Sequence, residues 1–352
     1  MVNQNASALK DIVTFNDFVG FYKDKIYAKL VDYMPEGEPT EFIKMVRSYV
    51  DRKGQYRRPA YVVLWNLLYG GNEERTLLPA AVQQISEDYF LMHDDWMDNN
   101  TLRRGLPAAH VLYGPVYAIT AGDLLHTIMW RMTYDVTEKM NKETKKRYID
   151  KLYEIMKTTH IGQYYDIRLT TEIKDITKFT PEDYYQSIHA KSACYSVYGP
   201  MQQGAIIAEA DNQEVEKIKE YGIPIGNAFQ IKDDILDCAS TDEVLGKSVG
   251  NDVREGVKTI ILWHAVQNAS TETLKKLKEI YAKDRKNKTE KDVQFVLSAF
   301  KELGSIDYAQ KEAERMGNDA LESFNKLTEH IAESNVKNIA RDSFSAIVKR
   351  NK

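Results

Sequence analysis

The chain of 352 residues is 43% hydrophobic and 28% charged, with a formal net charge of -4. So small an acidic excess argues against a nucleic-acid partner. The two cysteines, Cys194 and Cys238, lie in no CxxC or Cys/His pattern, which excludes a disulfide framework and a zinc site.

At the start of the chain Asn3, Lys10, Asp11 and Asp17 interrupt the apolar residues. That segment has neither a signal-peptide core nor the roughly 20 apolar residues of a membrane span, so the cytosol is the expected compartment. Beyond it the pattern predicts helices nearly throughout. Prolines place the main breaks at Pro35 to Pro39, at Pro107 to Pro115 and at Pro181. Thr180-Pro181-Glu182-Asp183 reads as a helix start with an acidic first turn. Strand alternation and hairpin signals are scarce. The charged stretch from Lys275 to Lys291 reads as a solvated helix and loop, and the basic tail from Lys349 to Lys352 as a frayed end.

Two copies of one acidic pattern stand out, Asp94-Asp95-x-x-Asp98 and Asp233-Asp234-x-x-Asp237. Residues four apart on a helix are about 40° apart around the axis and roughly 6 Å apart along it. Asp94 and Asp98 therefore share a face, as do Asp233 and Asp237. Like charges so placed repel, a cost that becomes intelligible if hard cations with oxygen ligands sit between them. Magnesium takes only one or two carboxylates and completes its shell with water and phosphate. Apolar runs, Tyr89-Phe90-Leu91-Met92 and Phe229-Gln230-Ile231, lead directly into both motifs. Acids at the end of such runs suggest the mouth of a cavity. His93, beside the first motif, reads as a hydrogen-bonding neighbour more than as a ligand.

Further motifs complete a pattern. Arg103-Arg104-Gly105 follows the first acids, then Ala121-Gly122-Asp123, then Gly162-Gln163 with Asp166, then Lys191-Ser192. Gly246-Lys247 and Gly250-Asn251-Asp252 follow the second acids. From Gly54 to Thr259 the chain resembles the trans-isoprenyl diphosphate synthases, among them the farnesyl and geranylgeranyl diphosphate synthases. The resemblance implies an all-α, single-domain helical bundle of the isoprenoid synthase type around a central cavity, spanning residues 1–352 and working as a homodimer. It also implies condensation of isopentenyl diphosphate with an allylic diphosphate, dimethylallyl or geranyl, aided by Mg²⁺ or Mn²⁺.

On that resemblance Asp94, Asp98 and Asp233 are the principal metal ligands, Asp166 joins the first cluster, and Asp95, Asp234 and Asp237 belong to the same acidic set. Arg103, Lys191 and Lys247 contact the allylic diphosphate, while Gln230 and the Ser192 hydroxyl offer oxygen dipoles to the allylic cation. Gln163 lines the substrate site. Loss of diphosphate leaves a cation, so the barrier falls when charges matched to the leaving group are already in place.

The isopentenyl diphosphate side departs from the family pattern. Arg58 and Arg104 are kept, but Gln55 follows Gly54 where the family has Lys, and Glu87 stands where it has His or Gln. One positive charge is lost and one negative charge gained. Arg57, Arg52, Lys53 or protonation of Glu87 are the candidates for compensation. Val257 replaces another common Lys, with Lys258 one position late. Phe90, one turn before Asp94, is placed to block a growing hydrocarbon tail. Tyr89 joins it on the strength of the resemblance. This is the short-product pattern, so farnesyl diphosphate is expected, with geranylgeranyl diphosphate the competitor. A terpene cyclase and a non-catalytic partner subunit are the alternative functions; the intact second acidic motif counts against both.

Overall fold

The computed structural model describes residues 11–239 and 249–349, and over these the chain is almost wholly helical. The all-α class read from the sequence holds.

Helix α1, Phe15–Val31, starts at a reciprocal cap between Thr14 and Asp17 and buries Phe18, Tyr22, Ile26 and Leu30 in steps of four. Helix α2, Thr40–Asp51, begins directly after Pro39, as the proline pattern predicted. Helix α3, Arg57–Leu68, is buried from Pro59 to Asn66, so it reads as a central element and not as a surface helix. Helix α4, Leu77–Met97, is buried from Pro79 to Tyr89. Its last turns, from Phe90 onward, become more open just where the acids begin.

The expected break between Pro107 and Pro115 has more structure than the sequence predicted. Strands β1, Leu102–Arg103, and β2, Leu106–Pro107, pair antiparallel. Helix α5, Ala109–Tyr113, follows, and Pro115 opens α6, Pro115–Glu138, in its first turn. Strands of two residues leave no alternation to read. Their only signal is Gly105 in the two-residue turn, where φ is +54° at Arg104 and +75° at Gly105.

Next come α7, Lys142–Thr171, and α8, Pro181–Ile188, which starts at the predicted Thr180 with a capping box to Asp183. A π-helix, His189–Tyr198, leads into α9, Gly199–Ile207, and then α10, Asn212–Ala239. The remaining helices are α11, Asn251–Glu255; α12, Ile260–Asn268; α13, Thr271–Tyr281; α14, Glu290–Glu302; α15, Ser305–Leu327; and α16, Asn335–Val348. The stretch from Lys275 to Lys291 is only in part the solvated segment expected. Leu277, Ile280 and Tyr281 form a buried side of α13, while Lys278 pairs with Asp175 and Lys283 with the buried Asp292.

The described residues form two compact units. The first comprises the chain up to Glu154, Tyr198–Lys219 and Phe324–Ala346; the second comprises Ile155–Val197, Glu220–Ser323 and the chain from Ile347. In the first, α4 packs on α6, and α3 on α9. A Cβ on Gly204 of α9 would come 2.3 Å from the Val62 carbonyl, so only glycine lets these two helices approach so closely. Trp65 of α3 packs its edge against Phe324 and Phe344. In the second, Gly162 of α7 and Gly226 of α10 receive the π-helix. A Cβ on Gly162 would fall 2.2 Å from the Lys191 backbone nitrogen, and one on Gly226 2.5 Å from the Ala193 side chain.

Candidate active site

Helix α4 delivers the first acidic motif at its end. Asp98 is the C-cap residue, and its N–H donates to the Asp94 carbonyl at 2.8 Å. Asp94 and Asp98 are both half-buried, whereas Asp95 is fully enclosed. Tyr49 Oη donates to Asp95 Oδ2 at 2.6 Å, and Arg103 Nε lies 3.0 and 2.9 Å from the two carboxylate oxygens, with a further short contact from Nη2. Tyr49 Oη in turn accepts the Ala109 N–H at 3.0 Å. The hairpin holds Arg103 in place on β1, so the middle aspartate is bound by a phenol and a guanidinium. His93 acts as expected of a hydrogen-bonding neighbour: its Nε2 is 3.0 Å from the Ile119 carbonyl. Gly122 makes room for that ring, since a Cβ there would lie 2.4 Å from Nε2.

Behind this motif stand the residues expected to meet the second substrate. Arg58 lies 3.0 Å from Glu87, and Arg104 lies 2.7 Å from Asp88 and 3.9 Å from Glu87. Arg104 also donates to the Tyr49 carbonyl, and its guanidinium packs over Gly54, where a Cβ would be 2.7 Å away. Gln55 is exposed. The compensating cations for Glu87 are therefore Arg58 and Arg104. Those proposed from sequence neighbourhood are engaged elsewhere: Arg52 donates to the Arg103 carbonyl, Lys53 pairs with Asp24, and Arg57 reaches Asn16. Burial pushes the Asp88 carboxyl up to about 6, against the pull of Arg104 and with a further push from Glu87.

The second unit assembles the remaining candidates. One turn after Gly162, Asp166 Oδ2 accepts from Lys191 Nζ at 2.6 Å; Gln163 lies half-buried on the same helix. Lys191 and Ser192 sit on the π-helix, a local widening often found at functional positions. Ser192 Oγ donates to Gln230 Oε1 at 2.6 Å, and Gln230 Nε2 donates to Asp234 Oδ1 at 2.9 Å. Tyr184 Oη completes the chain by donating to Asp234 Oδ2 at 2.6 Å. Burial drives the Asp234 carboxyl up to about 7; the hydrogen bonds from Tyr184 and Gln230 oppose the shift, and the charges of Asp233 and Asp237 add to it.

Asp233 is half-buried, while Asp237 is fully buried. Asp237 Oδ2 accepts the Asp252 N–H at 3.0 Å and its carbonyl accepts the Gly250 N–H at 2.8 Å, so it ties down the chain where it returns as α11. Lys247 lies outside the described residues. Lys258 is buried and donates to the Gly256 and Thr170 carbonyls at 2.8 and 3.3 Å, so it caps the end of α7. Burial, with Lys288 and Lys174 nearby, lowers its pKa to about 7.

Tyr89 and Phe90 do lie together. Their ring centroids are 4.5 Å apart, and Tyr89 also packs on His126 at 4.9 Å and His93 at 5.2 Å. Sequence reasoning missed Tyr49, Tyr184 and Asp88. The two tyrosines sit 46 and 50 residues from the aspartates they hold, and no local pattern spans such distances.

The donor set suits a hard divalent cation. All candidate ligands are carboxylates: the half-buried Asp94, Asp98 and Asp233 flank the buried Asp95, Asp234 and Asp237. Among the described residues no three His, Cys, Asp or Glu side chains converge as a ready-made cage.

Comparison with known proteins agrees with this chemistry. A sequence profile of the polyprenyl synthetase family matches residues 39–300. The geranylgeranyl diphosphate synthase of Sulfolobus acidocaldarius is 32% identical over 277 residues, covering 78% of this chain and 81% of the relative. That of Methanosarcina mazei is 31% identical over 303 residues, 85% of this chain and 88% of the relative. The solved geranylgeranyl pyrophosphate synthetase of Pyrococcus horikoshii superposes with a TM-score of 0.81 at 30% identity over 95% of this chain and 98% of its own. None of the three carries the fifteen-carbon product expected from Tyr89 and Phe90. A pair of adjacent aromatics that packs on His126 and His93 is accounted for by that cluster, and does not by itself set the depth of a pocket. With the acidic motifs seated in an all-α fold shared with these enzymes, the chain belongs to the polyprenyl synthetase family and is a prenyltransferase.

Proposed function

We propose that the chain condenses isopentenyl diphosphate with an allylic diphosphate and that its main product is geranylgeranyl diphosphate. The observation that carries the reading is the pairing of open carboxylates with fixed cations and dipoles: Asp94 and Asp98 beside the Asp95–Arg103 pair, and Asp166 with Lys191 beside the Ser192–Gln230 pair. The product assignment rests on the names of the relatives.

In this reading Asp94, Asp98 and Asp233, with Asp166, hold Mg²⁺ or, in its place, Mn²⁺. The cation supplies charge against the departing diphosphate. Asp95, Asp234 and Asp237 act one layer back, where they fix the helix ends that present the open acids. Arg103, Lys191 and Lys247 bind the allylic diphosphate. Ser192 donates its proton to Gln230, so its oxygen lone pairs are free of that bond and aimed by it, a suitable dipole for an allylic cation. Arg58 and Arg104 receive isopentenyl diphosphate, with Gln163, Gln55 and Glu87 around the two substrates. Tyr89 and Phe90 line the tail's path without alone setting its depth, so growth runs to twenty carbons.

We also infer one functional domain over residues 1–352, since the family match runs through stretches of both compact units. A homodimer fits α6, whose Val116, Trp130 and Tyr134 are exposed along one stripe with Tyr117 beside it. No helix among the described residues is long and apolar enough to cross a membrane, and the cytosol is the proposed site of action.

Incubation of the purified chain with Mg²⁺, geranyl diphosphate and isopentenyl diphosphate tests the reading, with product length as readout. Geranylgeranyl diphosphate is expected, and Phe90→Ala should extend it. Release of hydrocarbon without elongation would replace the reading with a cyclase.

A further inference from the structure

The second substrate in this reading brings an anion to Arg58 and Arg104, and both guanidiniums already hold one. Arg58, Arg104, Glu87 and Asp88 form a cluster that is formally neutral, with Glu87 3.0 Å from Arg58 and Asp88 2.7 Å from Arg104. The cluster is a built one. Arg104 is set by the left-handed turn, seats over Gly54 and donates to the Tyr49 carbonyl. Glu87 is 6% exposed and Asp88 fully buried, on adjacent positions of a helix that is buried at that depth. Asp88 Oδ2 is enclosed without a hydrogen-bond partner among the described residues.

A carboxylate offers a guanidinium two oxygens in the geometry that a phosphoryl group offers. Glu87 is thus a resident substitute for part of the incoming diphosphate. Moving it off Arg58 leaves an almost buried carboxylate short of its counter-charge, which is unfavourable. Gln55, exposed and uncharged, adds no cation to offset this.

We propose that Glu87, backed by Asp88, is an internal competitor for the acceptor diphosphate and sets the affinity for isopentenyl diphosphate separately from that for the allylic substrate. This rests on the condensation proposed above. It makes acceptor binding the weak step of the cycle.

The test is calorimetric binding of isopentenyl diphosphate to the full chain as wild type, Glu87→Gln and Asp88→Asn, together with KM for each substrate in turnover. Glu87→Gln should tighten the acceptor Kd about tenfold by freeing Arg58. Asp88→Asn should tighten it less, and KM for the allylic diphosphate should stay within about twofold in both. An acceptor Kd that is unchanged or weaker in both variants overturns the proposal and leaves Glu87 as a residue that merely orients Arg58. Should Glu87→Gln not fold, Glu87→His gives the same comparison. Turnover keeps the parent reading separable: a wild type that binds acceptor but never elongates sinks the condensation, while the Kd ratio still judges Glu87.

Discussion

The two acidic motifs share a plan and differ in one partner. In each, the middle aspartate is buried beneath a tyrosine hydroxyl at 2.6 Å, Tyr49 on Asp95 and Tyr184 on Asp234. The first also receives a guanidinium, from Arg103, while the second receives, among the described residues, only the amide of Gln230. Burial penalises a carboxylate's charge, and hydrogen bonds from neutral donors offset that penalty only in part. Burial therefore carries the Asp234 carboxyl up to about 7 against the hydrogen bonds from Tyr184 and Gln230. The same three-residue spelling thus sets its middle aspartate against a guanidinium in one place and against neutral donors in the other.

The largest effect should come from the open acids. Asp94→Asn with Asp98→Asn should lower kcat by on the order of 10³ or more while circular dichroism stays native, because both side chains are only half-buried. Retained turnover would refute their role. The middle acids separate next. Asp95→Asn leaves Arg103 facing a neutral amide in a mostly enclosed site and should cost about 3 kcal/mol in urea unfolding. Asp234→Asn disturbs only neutral hydrogen bonds and should cost about 1 kcal/mol or less. Equal losses would mean that Arg103 does not distinguish the motifs.

Much of this was legible from local pattern. The helical class follows from the scarcity of strand signals, and Thr180 and Pro39 mark helix starts because capping and proline chemistry act within a turn. The face shared by Asp94 and Asp98 follows from helix geometry, although Asp98 proves to be the capping residue. The partners of the middle aspartates were not legible. Tyr49 and Tyr184 reach them across 46 and 50 residues, through packing that no spacing announces. The ion pairs of Glu87 were not legible for the same reason: Arg58 and Arg104 meet it, whereas Arg57, Arg52 and Lys53, beside Gln55 in sequence, reach Asn16, the Arg103 carbonyl and Asp24. The depth of the pocket was not legible either, because two adjacent aromatics report a packed cluster as readily as a pocket floor.

The pH dependence of metal-free protein sharpens the comparison. The folded-state pKa of Asp234 is raised above its ordinary 3.8, so the folded chain binds that proton more tightly than the unfolded chain. Its contribution to stability is present below about 3.8 and is lost as pH rises through about 7. Asp234→Asn should remove that downward slope from the difference in unfolding free energy against pH. A difference curve flat between pH 4 and 7, within about 0.5 kcal/mol, would show that Asp234 is ionised throughout.

The smallest effect is also the most selective. Tyr184→Phe and Tyr49→Phe each delete one hydroxyl and should each cost about 1 kcal/mol. The Tyr184 hydrogen bond favours ionised Asp234, so its loss should move the Asp234 transition to higher pH. Carboxyl ¹³C shifts followed by NMR through pH 5 to 8 would read the change. An upward move of the Asp234 transition in Tyr184→Phe and not in Tyr49→Phe is what the separate partners require; an unmoved transition in Tyr184→Phe would mean that the phenol does not hold Asp234.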